Sequence, residues 1–120
     1  MSEFKPASIK PIVAFAALDA LDIRVGTIQK VEEVPRSEKL MKLTVTFGDR
    51  TRSILAGMKE ERENPREIEG KQAIFVVNLE PRKMAGEISE GLLFDIGYAD
   101  GVTPVLAMPE RRVPDGTRAG

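Results

Sequence analysis

The apolar positions of this chain follow two periods, and the change from one to the other divides it. Between Ile12 and Leu21, Phe15, Leu18 and Leu21 recur at helical spacing among alanines, which predicts a short helix. Before it, Met1 to Pro11 holds Pro6 and Pro11, polar residues and no period. The expectation for residues 1–13 is an arm that orders by docking on a partner. From Leu21 the period drops to two: Leu21, Ile23, Val25, Thr27 and Val31 share one parity, and Asp22, Arg24, Gly26 and Lys30 share the other. That pattern is a first strand with one buried face, and Gly26 predicts a bulge or bend within it.

Glu32 to Lys39 is polar, holds Pro35 and reads as a loop. Alternation resumes from Leu40 to Phe47, with Met41, Leu43, Val45 and Phe47 toward the core and Lys42, Thr44 and Thr46 away from it. Gly48-Asp49 marks a turn whose length decides which side chains share a face, because directly opposed residues of an antiparallel pair do. A two-residue loop would oppose Phe47 with Arg50 and Val45 with Arg52, placing arginines on the core face. A three-residue loop, Gly48-Asp49-Arg50, opposes Phe47 with Thr51, Val45 with Ser53 and Leu43 with Leu55. The second register is the expected one, and it leaves Lys42, Thr44, Thr46 and Arg52 on the open face.

Asn64-Pro65-Arg66-Glu67 then combines an N-cap residue, a proline at the first helical position and a carboxylate placed for a capping box, with Gly70 as the stop. A fourth strand, Gln72 to Leu79, is nearly all apolar, and a fifth runs from Ile88 to Ile96. Three strands, a short helix and two strands is the order of the oligonucleotide- and oligosaccharide-binding barrel, the OB-fold. The fold expected is therefore all-β: a five-stranded barrel over about residues 21–96 of a domain spanning 14–120, with an N-terminal helix and a C-terminal β extension. In that extension Val102 to Met108 reads as a strand and Val113 to Thr117, V-P-D-G-T, as a terminal turn. It serves as an extra layer, a dimer contact or a sixth strand sealing the barrel.

Composition narrows the chemistry. The 120 residues include no cysteine and no histidine, which excludes disulfides, thiolate nucleophiles and imidazole as base or ligand. Glu60, Glu61 and Glu63 read as a solvated face, and Ser89 beside Glu90 lacks a base and oxyanion donors, so neither a metal, a cofactor nor catalysis is expected. No apolar run approaches the roughly 18 residues of a membrane span, and a soluble cytoplasmic protein is the expectation. The net charge of −1 is low for a nucleic-acid binder, but a ligand within a screening length of about 8 Å meets the local field. Aromatics for base stacking are scarce, with one Tyr and no Trp, which favours recognition of a folded RNA's backbone over single-strand reading.

The most specific stretch is Val76 to Gly91, V-V-N-L-E-P-R-K-M-A-G-E-I-S-E-G. Pro81 ends a strand; Arg82 and Lys83 can reach phosphates, Met84 can lie on a flat apolar surface, and Gly86 and Gly91 allow close approach. In an OB barrel it falls in the loop between strands four and five, one of the two that usually bind ligand. Lys83 and Arg82 with Arg50, Arg52, Lys42 and Lys39 would place up to six phosphate neutralisers on one side. Composition alone leaves a solvated hairpin turn as an equal alternative.

L-D-I-R-V-G-T-I at Leu21 to Ile28, S-E-K-L at Ser37 to Leu40, A-G-M at Ala56 to Met58 and N-L-E-P-R-K-M-A-G-E-I-S-E-G resemble the tRNA-binding domain family. That family includes free-standing structure-specific tRNA-binding proteins, the C-terminal appendage of methionyl-tRNA synthetases and the export chaperone CsaA. The resemblance covers about residues 15–120. It implies a non-catalytic OB-fold homodimer that binds tRNA by shape, with contacts at Asn78, Arg82, Lys83, Met84 and Ser89 supported by Lys42, Arg50 and Arg52. Leu92 stands where many members have methionine, and the retained Leu79, Met84 and Gly91 lean away from the CsaA branch. A chaperone for unfolded polypeptide is the alternative role, and an aminoacyl-tRNA synthetase a further possible partner.

Overall fold

The computed structural model describes residues 3–120; Met1 and Ser2 of the expected arm lie outside the described residues. A five-stranded antiparallel sheet curls into a nearly closed barrel. Its strands are β1 (Ile23–Glu33), β2 (Met41–Thr46), β3 (Thr51–Ala56), β4 (Gln72–Val76) and β7 (Leu92–Leu93), in the order β3-β2-β1-β4-β7. Two ribbons are added, β5 (Arg82–Met84) with β6 (Glu87–Ser89), and β8 (Asp95–Ile96) with β9 (Val105–Leu106). The expected OB-fold is the observed one. The core gathers the aliphatic Ile28, Leu43, Val45, Ile54 and Ile68 around an aromatic pair, Phe47 meeting Phe75 edge to face at 5.5 Å.

β1 departs from the expected single parity. A Cβ on Gly26 would meet the Phe47 ring and the Val45 methyl at 2.7 Å, so Gly26 faces the barrel interior and only a residue without a side chain fits there. Its parity partner Ile28 is fully buried, and after a register shift between Ile28 and Lys30 the inward position passes to Val31. The bulge therefore lies at Gln29, where it lets one long strand serve β4 with its first half and β2 with its second. Thr27, of the other parity, turns away from the core.

The β2–β3 turn also corrects the expectation. Thr46 pairs with Thr51, Val45 with Arg52 and Leu43 with Ile54, and the Phe47 amide bonds the Arg50 carbonyl at 2.9 Å. The loop is the two-residue Gly48-Asp49, with Gly48 at φ 96°. Arg52 is consequently on the inward face, not on the open face with Lys42. Position decides this: it sits at the rim, where its Nη1 donates to the carbonyls of Val77 and Glu90, so burial of the aliphatic stem leaves no orphaned charge.

The helical expectations hold in shortened form. α1 (Phe15–Asp19) spans five residues, and Pro65–Ile68 is a 3₁₀ turn whose Asn64 side chain accepts from the Arg66 amide. Glu67 pairs with Arg62 at 2.6 Å in place of closing a capping box. The fifth strand is broken into β6, β7 and β8, and of Val102 to Met108 only Val105–Leu106 is a strand.

The V-P-D-G-T turn does more than terminate the chain. The tail lies along the free edge of β1: the Gly116 amide bonds Val25 O at 2.7 Å, the Val25 amide bonds Thr117 O at 2.9 Å, and the Ala119 amide bonds Ile23 O at 2.8 Å. Asp115 accepts from the buried Thr27 hydroxyl at 2.6 Å and from Gln72 Nε2 at 2.9 Å, which satisfies the polar groups that Thr27 and Gln72 bury. Gly116, at φ 91°, passes so close to the Phe47 carbonyl that a Cβ would overlap it.

Candidate nucleic-acid interface

The stretch between β4 and β7 is a hairpin. Arg82 pairs with Ser89, Lys83 with Ile88 and Met84 with Glu87, around a two-residue Ala85-Gly86 turn. Both turn residues have positive φ, 51° and 82°, the geometry of a type I′ turn, whose twist matches the flanking strands. Alternation divides the side chains: Lys83 and Ile88 share the outer face and are exposed, while Arg82, Met84, Glu87 and Ser89 share the other. Met84 is half-buried and Arg82 exposed.

The hairpin is held at its base by polar side chains. The Asn78 amide accepts from the Asp22 N–H at 2.7 Å and donates to Ala20 O at 2.8 Å, clamping the junction between α1 and β1. Ser89 is buried; its hydroxyl accepts from the Leu55 amide at 3.0 Å and donates to Gly91 O at 3.1 Å. Glu90 donates its amide to Ser53 O at 2.8 Å and accepts from the Ser53 amide at 3.1 Å. These bonds occupy the free edge of β3 and close the barrel, so Ser89 and Asn78 position the hairpin. A Cβ on Gly91 would come within 2.9 Å of Val76 O.

The cations are distributed differently from the expected six on one side. Lys42 pairs with Glu87 at 3.1 Å and Arg50 with Asp49 at 3.3 Å, while Arg52 is turned into the barrel rim. Exposed Arg82 and Lys83 have no carboxylate partner among the described ion pairs, and exposed Lys39 has none either. Arg36 was not anticipated: a Cβ on Gly86 would stand 3.5 Å from its Nη1, so it crosses the hairpin tip. Its only sequence signal was membership of the polar loop after the first strand. At the hairpin base Arg24 grips Asp22 through two bonds, of 2.9 and 3.1 Å. The Arg24 hydrogen bond holds the Asp22 carboxyl below its usual value, and the Arg50 hydrogen bond does the same for Asp49. Glu61 is pushed up by burial and by the neighbouring Asp95. Among the described residues no group of three potential metal-binding side chains converges.

A small OB barrel carrying a braced, cation-bearing hairpin between its fourth and fifth strands is the architecture of a ligand-binding module. The family model described as "Putative tRNA binding domain" matches residues 23–118. The chain belongs to the tRNA-binding domain family. A methionine--tRNA ligase of Phocaeicola vulgatus is 37% identical over 108 residues, covering 89% of this chain and 16% of that protein. One from Archaeoglobus fulgidus is 38% identical over 109 residues, again covering 16% of its length. The chain thus spans about a sixth of the length of these curated relatives. Among solved structures, a MetRS-related protein from Pyrococcus horikoshii superposes with TM-score 0.84 at 33% identity, covering 92% of this chain and all of that one. Chaperone CsaA from Bacillus anthracis superposes with TM-score 0.78 at 30% identity, with the same coverage.

Proposed function

We propose that this protein is a non-catalytic, cytoplasmic homodimer that binds tRNA by its shape. The observation that carries this reading is the hairpin of a tRNA-binding-domain chain, presenting Lys83 outward, Arg82 exposed and Met84 half-covered on a rigidly anchored ribbon. Arg82 and Lys83 meet phosphates, Arg36 extends the positive surface past the tip, and Met84 lies against a sugar or base. Asn78 and Ser89 act by fixing the ribbon, and Lys42 by pairing with Glu87 beneath it. The hairpin from Asn78 to Glu90 carries no aromatic side chain, which supports backbone recognition there in place of base stacking.

The dimer is supported by apolar surface that the monomer leaves in water. Ile9, Ile12 and Phe15 of the arm and helix are 97%, 99% and 81% exposed, and Tyr98 of the extension is 73% exposed. Large apolar side chains left this exposed are candidates for an interaction site. The same surface, with the likeness to CsaA, favours the second reading, a chaperone that holds unfolded polypeptide. Likeness to segments of methionine--tRNA ligases makes a synthetase a further candidate partner.

Filter or anisotropy binding of tRNA at two salt concentrations, with wild type and Lys83→Glu, tests the reading. The expected result is tight binding at low salt that weakens with salt and with the substitution. Absence of binding, or indifference to the substitution, would reject it. Suppression of client aggregation that neither salt nor tRNA affects would establish the chaperone reading instead.

A further inference from the structure

The register that sets Arg52 opposite Val45 has built a pocket at the open mouth of the barrel. Arg24 and Arg52 stand at inward parity above Phe47, and Arg50 reaches the same place from the turn; with Asp22 and Asp49 they line a cavity of about 130 Å³ at the root of the hairpin. Inward-facing positions of a small barrel are normally filled by core side chains, and the bonds that Arg24 and Arg52 make within the chain do not account for a third guanidinium, that of Arg50, lining the same pocket.

Two of them are pre-oriented. Arg24 is held by both oxygens of Asp22, whose other neighbour is Arg118 at 3.3 Å. Arg52 spends only Nη1 on the Val77 and Glu90 carbonyls. Among the described residues its Nε–H and Nη2 amino group have no protein acceptor and no buried side-chain nitrogen or oxygen lacks a partner, so these donors are open to solvent, and Arg52 lines the pocket. Arg50 is tied only to its exposed neighbour Asp49, at 3.3 to 3.4 Å. Four guanidinium charges, counting Arg118, stand against two carboxylates, so the mouth is electropositive and its loosest pair is the one at its entrance.

We propose that this mouth binds a phosphoryl group of the RNA. A tetrahedral dianion or a phosphodiester suits a fork of planar donors from Arg52 and Arg24, and Arg50 swings from Asp49 to close over it. The volume admits that group and not a whole nucleotide with it, so the pocket reads charge and position, not sequence. It lies at the root of the hairpin, with Val77 and Asn78 in its wall, while Ala85-Gly86 forms the tip, giving the bound strand two separate anchor points. The identity of the ligand rests on the RNA-binding reading; the anion site itself is testable without RNA.

The test follows the arginine Nε–H resonances and backbone amides of the full chain by NMR during titration with inorganic phosphate. A pair of short oligoribonucleotides of one sequence is then added, one with and one without a 5′-phosphate. The expected result is that phosphate moves Arg24, Arg50 and Arg52, that Arg50→Gln weakens it about tenfold, and that Asp49→Asn tightens it severalfold by removing the competing carboxylate. Preference for the 5′-phosphorylated oligonucleotide would identify a strand end as the source, and equal binding an internal phosphodiester; both support the proposal. Phosphate that leaves the three arginines unmoved, or that binds Arg50→Gln as tightly as wild type when followed at Arg24 and Arg52, would overturn it. Oligonucleotides that move the hairpin amides but not the mouth would overturn it while leaving the hairpin reading intact. If phosphate binds but no RNA does, the RNA-binding reading falls and RNA as the source falls with it.

Discussion

Two short segments, the hairpin from Asn78 to Glu90 and the clasp from Val113 to Arg118, each cover a free sheet edge with polar residues, and they put those residues to opposite uses. The clasp turns its chemistry inward: Asp115 satisfies Thr27 and Gln72, and the backbone of Gly116 crosses Phe47. The hairpin turns only its ends inward, through Asn78, Ser89 and Glu90, and leaves Lys83 and Ile88 in water at its middle. What separates a brace from a candidate binding surface is therefore parity and depth, not residue type.

The clasp should be the most sensitive point of the fold. Gly116→Ala puts a Cβ on the Phe47 carbonyl at a φ of 91°, and about 4 kcal/mol of stability should be lost by denaturant titration. A neutral result would mean that the tail detaches readily. In the hairpin, Ser89→Ala strands the buried Leu55 amide and should cost about 2 kcal/mol. Its effect on tRNA binding should be no larger than that loss of anchoring explains; a large binding defect in a fully folded variant would make Ser89 a direct contact.

Smaller effects sharpen the contrast. Ala85, with its φ of 51°, is the only non-glycine residue in the left-handed region among those described. Ala85→Gly should stabilise by about 1 kcal/mol without weakening RNA binding. Asp22 and Asp49 have carboxyls held below their ordinary value of 3.8 by Arg24 and Arg50. The unfolded chain thus takes up these protons first, so their contribution is present above that value and lost as pH falls through the lower folded one. Asp49 is exposed and Asp22 half-buried at the surface, so the change should be slight; thermal melts below pH 4 should fall less steeply in Asp22→Asn than in wild type.

Much of the barrel was legible because its signals are local. The alternation of Met41, Leu43, Val45 and Phe47 and the Asn64-Pro65 turn lie in contiguous residues and appear where expected. The failures involve partners distant in sequence. The sequence places Arg52 on the open face because an inward arginine looks costly, yet carbonyls 25 and 38 residues away receive it. Gly26 predicts a bulge or bend at its own position, but its reason is the Phe47 ring, and the bulge falls on Gln29. The hairpin motif indicated the candidate site; that Ser89 and Asn78 brace it, that Lys42 pairs with Glu87 and that Arg36 crosses the tip depend on tertiary placement.

The most direct test of the hairpin as the RNA-binding element is the salt dependence of tRNA affinity, measured side by side for wild type, Lys83→Glu and Ala85→Gly. Lys83→Glu should bind more weakly, with a slope of log K against log salt shallower by about one, while Ala85→Gly keeps the wild-type slope and affinity. Parallel lines of equal affinity for all three proteins would contradict the assignment.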